Sequence, residues 1–151
     1  MILNTTSSVI SFARQLETET AKFYEDGAEK YPEVKDVFLS FAKENSKAIT
    51  QVERAYYNVI TDAIEGCFAF ELETDKYQID TSITTNSELT KVLRKALDIE
   101  EKMIAFYTDS AEQSKSLMAD VPRAFSLIAK KRNNRIKYLR DTLERGGLRA
   151  G

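Results

Sequence analysis

Two stretches of this 151-residue chain read as copies of one another. Residues 16–29, LETETAKFYEDGAE, align without a gap on residues 99–112, IEEKMIAFYTDSAE. They share Glu17/Glu100, Phe23/Phe106, Tyr24/Tyr107, Asp26/Asp109, Ala28/Ala111 and Glu29/Glu112. Farther on, FLSFAKENSKAITQV (38–52) aligns on FSLIAKKRNNRIKYL (125–139), sharing Phe38/Phe125, Ala42/Ala129, Lys43/Lys130 and Ile49/Ile136, after a four-residue insertion in the second loop. Any two amphipathic hairpins share an apolar period. Shared Glu, Tyr and Asp at fixed offsets go beyond what a core pattern demands, so the chain reads as a duplicated helical hairpin.

Five glycines and two prolines fall where helices would stop. The first segment starts behind the run Asn4 to Ser8, any of which could cap it, and carries Ile10, Ala13, Leu16, Thr20, Phe23 and Gly27 on one face until Tyr31-Pro32 ends it. The second runs from about Glu33 to Glu65, with Phe38, Phe41, Ala42, Ile49, Val52, Tyr56, Val59 and Ile60 inward and Gly66 as its C′ residue. Residues of about 67–86 have no helical period. Phe68, Phe70 and Leu72 alternate with polar neighbours there, which predicts an extended crossover against the helices. The third helix runs from near Ser87 to about Ser114; the fourth starts at Asp120, with Pro122 in its first turn, and closes at Gly146-Gly147. The expected fold is all-α: one domain over 1–151, a four-helix bundle of two hairpins joined by one long crossover. A single long crossover is the ferritin-like way of connecting four helices.

Apolar residues are plentiful enough for one sizeable core. With 24 acidic against 22 basic residues there is no basic excess to neutralise a phosphate backbone, so nucleic acid is not expected as a partner. Cys67 is the single cysteine, which rules out an intrachain disulfide and a zinc or iron knuckle and suits a reducing cytoplasm. No charged leader opens the sequence and nowhere do about 18 apolar residues run together, so no membrane association is expected. Glycine-rich phosphate loops are missing. Without histidine, no nucleophile–base pair can be assembled around a serine or the cysteine unless a lysine serves as base.

The fourth segment carries an anomaly in "IAKKRNNRI" (128–136). Phe125 and Ile128 lead into it and Leu139 and Leu143 follow; steps of three and four between them land on Arg132 and Arg135. Two guanidinium groups are thereby turned toward the core, while Lys130 and Lys131 lie on an exposed face. The plainer alternative keeps Glu17 and Glu100 at the stripe's edge and lets Arg132 snorkel to water.

ALDIEEKMIAFY (96–107), and more loosely QLETETAKFY (15–24), resembles the E-x-x-x-x-x-F-Y helix of rubrerythrins and their ferritin-like relatives; FLSFAKENSKAITQV resembles their F-x-x-L-A-x-E-E-x-x-H-x-x-x-L helix. The resemblance covers all four helices. In that family single glutamates from the first and third helices join Glu-x-x-His pairs from the second and fourth to hold two iron or manganese ions. Glu17 and Glu100 match the single glutamates. The other positions depart from the pattern: Asn45 and Ala48 on the second helix, Arg132 and Arg135 on the fourth, and Met103 where relatives often offer an additional glutamate. Four carboxylates, two imidazoles and two divalent ions sum to zero charge, and so do Glu17, Glu100, Arg132 and Arg135. Two divalent ions added to the latter set would leave four uncompensated positive charges in a low-dielectric interior, each costing several kcal/mol.

The resemblance therefore implies a metal-free, ferritin-like domain without catalytic residues, whose di-metal positions (Glu17, Asn45, Ala48, Glu100, Arg132, Arg135) hold an ion-pair cluster. Arginine forks have donors left over, and the hydroxyls of Tyr24 and Tyr107, beside Met103, are the expected takers along with Asn45. An interaction or regulatory role follows, as a homodimer like its relatives and with an unknown protein partner. The alternative is an oxidoreductase of peroxide or oxygen chemistry that still binds iron or manganese through Glu17 and Glu100 with Glu44 or Glu53. In relatives electrons arrive through a rubredoxin-like module, and the cysteine pairs of such a module do not occur here.

Overall fold

Helix α1 (Thr6–Lys30) begins where the sequence offers hydroxyls. Thr5 is the N-cap: its hydroxyl accepts the Ser8 N–H at 3.1 Å, while Ser8 Oγ accepts the Thr5 N–H at 3.2 Å. Two orphan donors of the first turn are satisfied reciprocally. The helix ends at Tyr31, held extended ahead of Pro32 as the proline ring requires, with its N–H on the Gly27 carbonyl at 2.9 Å. Pro32–Val34 form a 3-10 turn, so α2 (Lys35–Val59) starts two residues later than its apolar period suggested.

The computed structural model describes residues 1–59, 70–84, 86–115 and 120–150, without the side chains of 58–59 and 147–150. The expected end of α2 at Glu65, its cap Gly66, and the placements of Val59, Ile60, Cys67 and Phe68 lie outside what is described.

The crossover holds more structure than an extended strap. Ile2–Leu3 (β1) and Leu72–Glu73 (β2) pair antiparallel, Ile2 opposite Glu73 and Leu3 opposite Leu72. Phe70 and Leu72 are buried, and a 3-10 turn over Thr74–Tyr77 follows. Tyr77 buries its ring edge-on to Phe106 and donates its hydroxyl to Asp109 at 2.5 Å, with Lys76 on the same carboxylate at 2.8 Å. The second connection is thereby pinned to α3 (Leu89–Gln113), which leads to α4 (Asp120–Ala150). Here α4 departs from expectation: it runs through Gly146-Gly147 to Ala150. No glycine among the described residues adopts positive φ, so neither forms the left-handed cap that would stop the helix.

Helix α1 packs along α2, α3 packs along α4, and the two pairs meet chiefly through α2 and α4. All six expected inward positions of α1 are buried, as are Phe38, Phe41, Ala42, Val52 and Tyr56 of α2; Ile49 is only half-buried. On α4, Phe125, Ile128 and Leu139 are buried and Leu143 packs partly buried against them. Gly27 has a specific reason to be glycine. A Cβ there would lie 2.8 Å from two ring carbons of the fully buried Phe38, too close for any side chain. The result is an all-α, four-helix protein with one two-stranded ribbon among its described residues. Among those residues no helix is long and apolar enough to cross a membrane.

Candidate functional site

Helices α1 and α3 bring Glu17 and Glu100 to the interior, where both are fully buried. Arg132 of α4 lies between them. Its Nη1 donates to Glu100 Oε1 and Oε2 at 2.6 and 2.8 Å, and its Nη2 donates to Glu17 Oε1 and Oε2 at 2.6 and 2.5 Å. Distances this short mark charge-assisted bonds, and one guanidinium bridges two carboxylates. Burial alone would weaken the arginine's hold on its proton, but the charges of Glu100 and Glu17 outweigh it and raise its pKa further.

Arg135, one turn on, is held more loosely. Its shortest bond is to the neutral Phe41 carbonyl at 3.0 Å; its approaches to Glu100 Oε2 and Glu44 Oε2 are both 3.4 Å. Aromatic faces compensate in part, for its guanidinium carbon stands 4.8 Å from the Phe41 ring centre and 5.5 Å from that of Tyr24. Neither the Phe41 carbonyl nor the reach of half-exposed Glu44 is legible in the sequence. Phe41 falls on the inward stripe, which gives no signal about its backbone oxygen, and Glu44 sits one position off that stripe.

The tyrosines differ from expectation. Rather than accepting from the arginines, their hydroxyls donate to the carboxylates. Tyr24 reaches Glu100 Oε2 at 3.1 Å and Tyr107 reaches Glu17 Oε1 at 2.7 Å. A buried carboxylate is the stronger acceptor, and the arginines meet the rings instead, Arg132 at 6.0 Å from the Tyr107 centre. The pairing is crossed: each copy's tyrosine serves the other copy's glutamate. Burial, reinforced by the neighbouring carboxylate charge, lifts both phenols well above their ordinary pKa.

Asn45 ties the second helix in, donating Nδ2 to the Glu17 carbonyl at 3.0 Å and accepting from Arg132 Nη2 at 3.4 Å. Ala48 lines a cleft with Arg132 and Arg135. Met103 is fully buried, its Sδ 3.9 Å from the hydroxyl of its repeat counterpart Thr20.

These residues do not suit a metal ion. Every oxygen of Glu17 and Glu100 already faces a hydrogen-bond donor, and the cation between them is covalently part of the chain. Glu53, one of the alternative ligands, is drawn to Arg14 in an ion pair near the surface; Glu44 is half-exposed beside Arg135. Among the described residues no three His, Cys, Asp or Glu side chains gather as a metal would need. Arg132, Tyr24 and Tyr107, whose pKa values are raised, keep their protons at neutral pH.

Fold and site together define a class: an all-α protein with a buried, charge-balanced Glu/Arg/Tyr cluster linking the four α-helices of its described residues. No protein-family model matches this chain, and neither does any curated protein or any solved structure.

Proposed function

We propose that this chain is a ferritin-like domain in which a Glu/Arg cluster has taken over the positions that hold two metal ions in rubrerythrin-like relatives, and that it acts without catalysis, in interaction or regulation. The observation that carries the reading is Arg132, whose two Nη groups engage all four oxygens of Glu17 and Glu100 inside the bundle. Two features support it. Repeat-related glutamates and tyrosines face one another crosswise in two equivalent bonds, which is compatible with a duplicated hairpin closed about a pseudo-twofold axis. Formal charges of Glu17, Glu100, Arg132 and Arg135 also sum to zero with no external cation, and a divalent ion added to them would be left uncompensated in a low-dielectric interior. By analogy with those relatives the domain works as a homodimer in the cytoplasm.

Metal analysis tests the reading. Protein purified from medium supplemented with iron and manganese is expected to carry neither in stoichiometric amount. Stoichiometric metal that disappears in Glu17→Gln would overturn the proposal in favour of a redox protein with a reduced ligand set.

A further inference from the structure

A cleft of about 300 Å3 runs between α2 and α4 and borders the ion-pair cluster. Buried Arg132 and Arg135 line it, Phe41, Ala48 and Ile128 give it an apolar wall, and the exposed Lys47 and Lys131 stand at its rim. Arg132 has no donor free on the cleft side, for its Nη groups are taken by Glu17 and Glu100 and its Nε–H is closed off from solvent. Arg135 is only loosely paired: its ion pairs with Glu44 and Glu100 are both 3.4 Å long, and Glu100 is already held by Arg132 at 2.6 and 2.8 Å. Among the described residues neither Lys47 nor Lys131 forms an ion pair. Against these four cations the lining offers one carboxylate, the half-exposed Glu44.

We infer that this cleft binds a small organic monocarboxylate, its carboxylate on the guanidinium of Arg135 with Lys47 and Lys131 at the rim, and its short hydrocarbon body against Phe41, Ala48 and Ile128. A guanidinium edge matches the two oxygens of a carboxylate. One added negative charge suits the loosely paired Arg135, whereas phosphate would bring two charges close to Glu44 and Glu100 and leave the apolar wall uncovered. Ala48 is the residue that keeps the space open, since its repeat counterpart is the long Arg135. The inference stands on the cleft alone, whatever the history of the cluster.

Calorimetric titration with butanoate, with acetate and phosphate as comparisons and sodium chloride holding the ionic strength constant, tests it. Saturable binding of one butanoate per chain is expected, tighter than acetate or phosphate, with movement of the Arg135 guanidinium resonances in the nitrogen-15 spectrum. Ala48→Leu fills the apolar wall without touching a charge and abolishes the binding; Lys131→Glu, an exposed change that leaves the core alone, weakens it. No saturable binding to the natural chain, tighter binding of phosphate, unmoved Arg135 resonances, or binding that survives Ala48→Leu each overturns the inference.

Discussion

Arg132 concentrates the energetics of the interior on one side chain. Removing it strands Glu17 and Glu100 in a space that excludes water, so Arg132→Met is expected to cost about 3–5 kcal/mol in denaturant unfolding. Combining it with Glu17→Gln leaves Glu100 opposite Arg135, a neutral pair, and the double variant should be more stable than Arg132→Met alone. Losses that simply add would mean that the two residues are not coupled. The tyrosines set a second, pH-dependent test. Both phenols have raised pKa values in the folded chain, so their contribution is complete below the unfolded value of about 10 and declines above it. In that alkaline range the unfolded state releases protons that the folded state keeps, and stability should fall by about 1.4 kcal/mol per pH unit for each of Tyr24 and Tyr107. Phenolate absorbance from these two residues is expected only as the chain unfolds, and Tyr24→Phe with Tyr107→Phe should flatten the slope. At this scale the phase of the apolar stripe was enough to turn Arg132 and Arg135 inward, because periodicity reports which way a side chain leaves its helix. The partner each polar atom selects was not legible, as the crossed tyrosine bonds and the Phe41 carbonyl show: such choices depend on distances across the bundle of a few tenths of an ångström.

Among the helices, start and stop signals were readable where the chemistry is compulsory and misleading where it is optional. Proline at 32 forces Tyr31 out of the helical region, and α1 ends there. Glycine permits a left-handed cap without imposing one, and α4 passes through Gly146, where a Cβ would meet nothing within 4 Å. The ribbon of β1 and β2 escaped the sequence because two-residue strands are too short to display a period of two. Gly27 gives the element-scale prediction. Gly27→Ala would gain helix propensity at most positions, yet here the methyl meets the Phe38 ring, so a loss of about 1–3 kcal/mol is expected in place of a gain. Pairing it with Phe38→Leu should recover part of that loss, and no recovery would mean the clash is not what costs stability.

For the whole molecule, the all-α class was legible before any side chain was placed, because the duplicated hairpin shows the same helical period twice. What the repeat could not reveal is how the connection docks: Tyr77 and Lys76 fasten it to Asp109, a residue the alignment marked without indicating its use. Our reading of the interior has a constructive test. On the proposed reading, Asn45→Glu, Ala48→His, Arg132→Glu and Arg135→His together supply the ligand types of rubrerythrins, and the folded quadruple variant is expected to bind two divalent ions per chain. A folded variant that takes up no metal would mean that these four positions do not converge on one centre.

The most direct measurement is anomalous X-ray diffraction, at the iron and manganese edges, from crystals of the natural chain grown with both metals. Planar guanidinium density between Glu17 and Glu100, with no anomalous peak in the bundle interior, is the predicted result. An anomalous peak between the two carboxylates, with Arg132 swung toward solvent, would contradict the claim that a side chain has replaced the ion.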